Sequence, residues 1–95
     1  MISDVQQSGP WFKIYNEKGK QVGTMSSSGK TLVGVASDFF VCQEGIWFKT
    51  YDEKGKSIAA MSSSGKVVKG AAGNTFVCKE GIWLKTYDKN CKQIS

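Results

Sequence analysis

Two copies of the hexapeptide Met-Ser-Ser-Ser-Gly-Lys, at 25–30 and 61–66, raise the question of phosphate binding. The first copy continues into Thr31 and so ends like a Walker A loop, which binds nucleotide phosphates through backbone N–H groups and a lysine. That motif also needs a glycine five residues before its last glycine. The chain has Thr24 and Ala60 at those positions. We therefore predict two turns, stabilised by serine and glycine, rather than a nucleotide site.

The pattern Trp-x-Lys-x-Tyr occurs three times. In a β-strand these three side chains share one face, so flat rings would lie beside a cation. Such a face suits the stacking of a sugar or a base. The alternative is a second core layer, in which each lysine stem lies along the rings and its ammonium reaches water. The candidate ligand-binding residues are Trp11, Lys13 and Tyr15, then Trp47, Lys49 and Tyr51, and finally Trp83, Lys85 and Tyr87.

Three cysteines could form a disulfide. Cys91 takes the place that turn glycines occupy at Gly19 and Gly55, and a side chain is unfavourable where φ is positive. A Cys78–Cys91 bridge would explain the exchange, and closing a loop of about 13 residues is worth roughly 3 kcal/mol in the chain-entropy model. Pairing through Cys42 and three free thiols remain alternatives. With no close pair of sulfurs and no histidine, we predict neither a metal nor a cofactor.

The charged residues argue against catalysis. The net charge of +5 comes from 13 lysines, and the chain has neither arginine nor histidine. The absence of histidine removes the commonest general base, and the adjacent carboxylates Asp52 and Glu53 would point to opposite faces of a strand. The absence of arginine disfavours specific reading of phosphates or base edges. The lysines form either a solvated face or a basic docking surface.

A repeat of 36 residues must position these side chains. Residues 40–52 match 76–88 at 11 of 13 positions, and the three tryptophans follow the same interval. We predict one domain over 1–95, made of two full units, 1–36 and 37–72, and a third that is cut short, 73–95.

Each unit is typical of strands separated by turns. Aromatic and β-branched runs alternate with glycine-containing turns, and no segment has a sustained helical period. A two-residue turn at Glu44-Gly45 would pair Val41 with Phe48, and the Val/Phe/Leu face would then form the core. We predict an all-β fold of tandem hairpins or meanders, assembled as a small pseudo-symmetric barrel or a prism-like set of sheets.

These features favour a non-enzymatic binding module, secreted or periplasmic, that presents its Trp/Lys/Tyr rows to a glycan or another cell-surface ligand. The N-terminal residues show no signal-peptide pattern, and no apolar run is long enough to span a bilayer as a helix. The alternatives are a single-stranded nucleic-acid-binding protein, whose affinity would fall with salt, and a structural or assembly protein without a small ligand.

Overall fold

The computed structural model describes residues 2–94 as ten β-strands joined by short turns. No helix occurs among these residues, so the all-β prediction is confirmed. The strands are β1 (Ile2–Ser8), β2 (Trp11–Asn16), β3 (Gln21–Ser26), β4 (Thr31–Val35), β5 (Phe39–Glu44), β6 (Trp47–Asp52), β7 (Ser57–Ser62), β8 (Lys66–Ala72), β9 (Thr75–Glu80) and β10 (Trp83–Asp88).

The strands form three antiparallel meanders. Sheet A has the order β1-β2-β3, sheet B the order β4-β5-β6-β7, and sheet C the order β8-β9-β10. Within residues 2–94 no strand ladder joins one sheet to another, so the barrel is not closed; the sheets instead pack face to face. Because β4 pairs with β5 and β8 with β9, the last strand of each sequence unit lies in the sheet of the next unit.

The central hairpin turns one residue later than predicted, which shifts its cross-strand pairing by two residues. Glu44 pairs with Trp47 and Val41 with Thr50, so the turn residues are Gly45-Ile46 and not Glu44-Gly45. Gly45 has a φ of 60°, which the first central position of a type II′ turn requires and which glycine adopts without strain. The predicted pairing of Val41 with Phe48 was therefore wrong.

Sheet B is buried on both faces because a neighbouring sheet covers each one. One core lies between sheets A and B, where Phe12 and Ile14 belong to the same cluster as Phe40. The other lies between sheets B and C, where Phe39 packs edge-to-face on Phe76 with ring centroids 6.1 Å apart. The Val/Phe/Leu face does form core in sheets A and B, and the opposite face of sheet B is also covered, as the alternative of a second core layer predicted.

An acidic or amide side chain fixes each turn that follows a central strand. Asn16 Oδ1 accepts hydrogen bonds from the backbone N–H groups of Lys18 and Lys20, each at 3.0 Å. Asp52 and Asp88 hold the two equivalent turns in the same way. This local pattern, in which a short polar side chain binds its own backbone two residues on, explains why these turns form.

The three cysteines are free thiols, so the predicted Cys78–Cys91 disulfide is not present. Cys91 does adopt the strained left-handed conformation that its turn position demands, with a φ of 61°. Its side chain packs against the core between sheets B and C, the cluster that contains Cys78. Packing of the thiol against that core, and not a covalent bridge, offsets the backbone strain of having cysteine where the other units have glycine.

Thiol counting checks this assignment. We expect three thiols to react with a disulfide reagent after unfolding without reductant, since none is bridged. In the folded protein we expect Cys42 and Cys78 not to react with the reagent, because both are 0% exposed. Burial also raises the pKa of Cys42 to about 12 and that of Cys78 to about 11, which disfavours the reactive thiolate. A single reactive thiol after unfolding would instead show a disulfide.

Candidate binding surface

The three Trp-x-Lys-x-Tyr rows lie on β2, β6 and β10, with each tryptophan at the first residue of its strand. Trp11, Trp47 and Trp83 are 49%, 46% and 66% exposed. The Tyr51 face of sheet B packs on the Phe12 face of sheet A, and the Tyr87 face of sheet C packs on the Phe48 face of sheet B. Rows two and three therefore begin in solvent and run inward beneath a neighbouring sheet.

The tyrosines at the inner ends of these two rows are core residues. Tyr51 and Tyr87 are 5% and 6% exposed, and each stacks on a phenylalanine of the adjacent strand, Phe40 or Phe76, with ring centroids 5.5 and 5.6 Å apart. For these two residues the second core layer describes the structure. Tyr15 is only half-buried, because no sheet covers that face of sheet A within residues 2–94.

A glutamate that the sequence pattern indicates only as a turn residue organises each of the second and third rows. Glu44 accepts a hydrogen bond from the hydroxyl of Tyr51 and lies 3.5 Å from the ammonium of Lys49 and 3.9 Å from that of Lys30. The spacing between Glu44 and Lys49 gave no signal on its own, since only the hairpin register brings them together. We call this group the Glu44 cluster.

The same arrangement recurs one sheet further on. Glu80 accepts a hydrogen bond of 2.5 Å from the Tyr87 hydroxyl and lies 3.4 Å from Lys85 and 3.9 Å from Lys66. The first row has Ser8 at the corresponding position. The rows of Trp47 and Trp83 therefore each contain a carboxylate that contacts two ammonium groups, and the row of Trp11 lacks that carboxylate.

Hydrogen bonding and burial set the protonation of these clusters. Burial, followed by the hydrogen bond to Glu80, raises the pKa of Tyr87 above its ordinary value of 10. Burial and the hydrogen bond to Glu44 do the same for the pKa of Tyr51. The hydrogen bond from Tyr87, aided by Lys85, lowers the pKa of Glu80. Tyr51 and Tyr87 are therefore neutral hydrogen-bond donors near pH 7.

These shifts predict a loss of stability in alkali. A raised pKa in the folded state means that the folded protein holds protons which the unfolded chain releases, so the contribution is complete below about pH 10 and falls as pH rises further. We expect urea unfolding to show this fall above about pH 10, where tyrosines of the unfolded chain begin to ionise. The Tyr51→Phe/Tyr87→Phe variant, which cannot ionise there, should show a shallower fall. Equal slopes would contradict the assignment.

The exposed tryptophans lie at one end of the stack. At the other end, the turns before β5 and β9 meet, since the Ser37 N–H donates to the carbonyl of Gly73, and the Thr50 hydroxyl on β6 donates to the carbonyl of Lys89, in the turn after β10, at 2.6 Å. The sheets thus run in the same sense, and neighbouring sheets pack about 10 Å apart. We call the row formed by Trp11, Trp47 and Trp83 the tryptophan ridge.

Apolar hairpin tips extend the tryptophan ridge. Ile46 and Ile82, which directly precede Trp47 and Trp83, are 68% and 89% exposed. Pro10 holds the same place before Trp11. Such a concentration of exposed apolar side chains at one end is a mark of a binding surface.

The two Met-Ser-Ser-Ser-Gly-Lys segments border the same end and are turns, as predicted. A strand follows each one, not a helix. The N–H of Ser27 donates to the carbonyl of Pro10, and that of Ser63 to the carbonyl of Ile46. Each serine turn therefore braces the hairpin tip beside it, and its lysine joins a glutamate cluster.

A groove of about 440 Å³ opens at the opposite end of the stack. An ion pair of 3.6 Å between Lys89 and Asp38 crosses it. Asp52 contributes to the wall but already accepts two backbone hydrogen bonds. The lining residues are Asp38, Asp52, Glu53, Lys54, Lys56, Ile58 and Lys89.

Among residues 2–94, no group of three or more metal-ligating side chains comes together. The same part of the chain has no helix that could cross a membrane. No protein-family profile, curated protein or solved structure matches the chain.

Proposed function

We propose that this protein is a non-enzymatic binding module whose tryptophan ridge holds a repetitive cell-surface glycan. The observation that carries the proposal is the exposure of three indoles, 46–66%, at one end of three stacked sheets. Large aromatic rings are normally more deeply buried, and each of these tryptophans leaves about half of its surface in water, which forgoes hydrophobic stabilisation. A ligand that covers the rings recovers it.

The groups beside the ridge suit a sugar. A sugar ring offers an apolar face to an indole and hydroxyl groups at its rim, which need both hydrogen-bond donors and acceptors. Glu44 supplies acceptor oxygens and Lys49 supplies donors, held 3.5 Å apart, and Glu80 with Lys85 does the same at 3.4 Å. Because these pairs are already ordered, a ligand loses less entropy on binding them.

Repetition compensates for shallow individual sites. Because one chain carries the three indoles, a linear glycan that contacts two of them at once is held with an overall affinity well above that of each weak site. Trp11 lacks the neighbouring carboxylate, since Ser8 replaces it. We expect the sites at Trp47 and Trp83 to carry most of the affinity.

Single-stranded nucleic acid is the second candidate. Lys49 and Lys85 flank exposed rings, and the chain has a net charge of +5, a combination that binds phosphates while bases stack. In each cluster, however, the glutamate already neutralises one of the two lysines. Salt separates the candidates, because phosphate contacts weaken steeply as salt rises and stacking on a neutral sugar does not.

A secreted or periplasmic location follows from the proposed ligand and is part of the proposal. Because the cysteines form no disulfide, they give no support to a secreted or periplasmic location.

The Glu-Lys pairs lie beside exposed rings and not inside a cleft. This placement agrees with binding without catalysis.

Retention on insoluble polysaccharides tests the proposed function. We expect the protein to bind at least one of chitin, cellulose and peptidoglycan, to the same extent at low and high salt. Trp83→Ala should reduce the bound fraction several-fold. Leu84→Ala is the matched control, since both residues are 66% exposed but alternate to opposite faces. Equal retention of the two variants, or binding only to single-stranded DNA at low salt, would contradict the proposal.

A further inference from the structure

The outer face of sheet C carries side chains that are buried everywhere else in the stack. Leu84 is 66% exposed, whereas Phe12 and Phe48, which hold the same position 72 and 36 residues earlier, are each 1% exposed. Ile94 is 55% exposed, while its counterpart Ile58 packs in the core between sheets B and C. We define the outer face of sheet C by Val67, Val77, Leu84, Thr86 and Ile94.

The outer face of sheet A is the complementary half of the same type of contact. Inside the molecule, the face with Phe48 meets the face with Tyr87, and the face with Phe12 meets the face with Tyr51. Tyr15 occupies the equivalent position on sheet A, where no sheet covers it within residues 2–94. We define the outer face of sheet A by Asp4, Gln6, Lys13 and Tyr15.

We propose that copies of this chain associate head to tail, with the outer face of sheet C on one copy against the outer face of sheet A on the next. The contact repeats the internal packing of sheet A on sheet B and of sheet B on sheet C. Because it joins two different faces, it is heterologous and leaves a free face at each end. This inference concerns the ends of the stack and does not depend on what the tryptophan ridge binds.

Charge favours this pairing over a contact between two sheet C faces. Lys79 pairs with Leu84 across the hairpin and so lies on the outer face of sheet C, and Lys69 holds the position of the core residue Val33. Two such faces would oppose lysine to lysine. The outer face of sheet A carries Asp4 beside Lys13; Asp4, which accepts a hydrogen bond of 2.9 Å from Gln6, offers the lysines of sheet C a carboxylate.

The association is expected to be weak. Three strands about 4.8 Å apart and about 20 Å long cover about 300 Å² on each copy, and the total of about 600 Å² is half of what a stable interface buries. We therefore expect dimers and longer rows only at protein concentrations on the order of 0.1–1 mM.

Analytical ultracentrifugation of two variants and their mixture tests the inference. Leu84→Glu disables the outer face of sheet C, and Asp4→Lys disables that of sheet A. Both residues are exposed, so the fold should persist, which circular dichroism checks. We expect the wild-type mass to rise above 10.4 kDa with concentration, each variant alone to stay monomeric, and their equimolar mixture to reach twice the monomer mass and no more.

Several outcomes would overturn it. Wild-type protein that stays at 10.4 kDa throughout this range would exclude association. Dimers of Asp4→Lys alone would show a contact between two sheet C faces, and self-association of Leu84→Glu would place the contact elsewhere. Combining Asp4→Lys with Lys79→Glu should restore association of a single species, because the charges are exchanged and not removed. If the double variant stayed monomeric, the proposed pairing of Asp4 with Lys79 would be contradicted.

Discussion

Replacement of Phe48 by alanine is expected to lower the free energy of unfolding by about 3–5 kcal/mol, the range for large-to-small changes at buried aromatic positions. Phe48 is 1% exposed and belongs to the core between sheets B and C. Truncation leaves a cavity that the neighbouring sheet can close only by moving as a unit. A loss of this size is a large part of the stability of a chain of 95 residues.

Leu84→Ala is the control, because Leu84 holds the same place in the next hairpin and is 66% exposed. We expect it to change the free energy of unfolding by less than about 0.5 kcal/mol. Urea denaturation, followed by tryptophan fluorescence at low protein concentration, measures both. Similar losses in the two variants, at a concentration where the protein is monomeric, would mean that Phe48 is no more buried than Leu84, and this would contradict the stacking of the sheets.

Gly23→Ala is expected to be the second most damaging substitution, with a loss of about 1–3 kcal/mol from overpacking. A Cβ at Gly23 would lie 2.4 Å from the carbonyl oxygen of Glu53 and 2.7 Å from the Cα of Lys54. These are backbone atoms of a turn on sheet B, so no side-chain rotation relieves the clash. Sheet A would have to move away from sheet B, which would weaken the first core.

Gly70→Ala is the matched control for this substitution. Gly70 also lies in a strand, has no positive φ, and has nothing within 4 Å of the added Cβ. We expect it to be neutral or slightly stabilising, because alanine restricts the unfolded chain more than glycine does. Thermal unfolding of both variants gives the comparison. A Gly23→Ala variant as stable as Gly70→Ala would show that sheets A and B do not approach so closely.

Local patterns were sufficient to predict the strands and most turns, but not their pairing. Both Glu44-Gly45 and Gly45-Ile46 place a glycine in a two-residue turn, and only Gly45 with a φ of 60° at the first central position selects the second. The choice shifts every cross-strand partner by two residues. It does not change which side chains share a face, and the division of Trp47 from Phe48 was therefore predicted correctly.

The stacking of the sheets could not be predicted from the local sequence pattern, because it depends on contacts between segments that are distant in the chain. Nothing in the row from Trp47 to Tyr51 indicates that its outer end is in solvent and its inner end lies beneath sheet A. The Glu44 cluster depends on the same stacking and register. A comparison of units does contain a signal for it, since Glu44 and Glu80 replace Ser8 in the two rows whose tyrosine is buried.

The central claim is that the tryptophan ridge is the ligand-binding surface, and an NMR titration of the indole N–H signals tests it most directly. With oligosaccharides from the polysaccharide that retains the protein, the signals of Trp47 and Trp83 should shift most, equally at low and high salt. Added oligo-dT should leave them in place at high salt. Signals that do not move with any glycan, while amide groups elsewhere do, would contradict the claim.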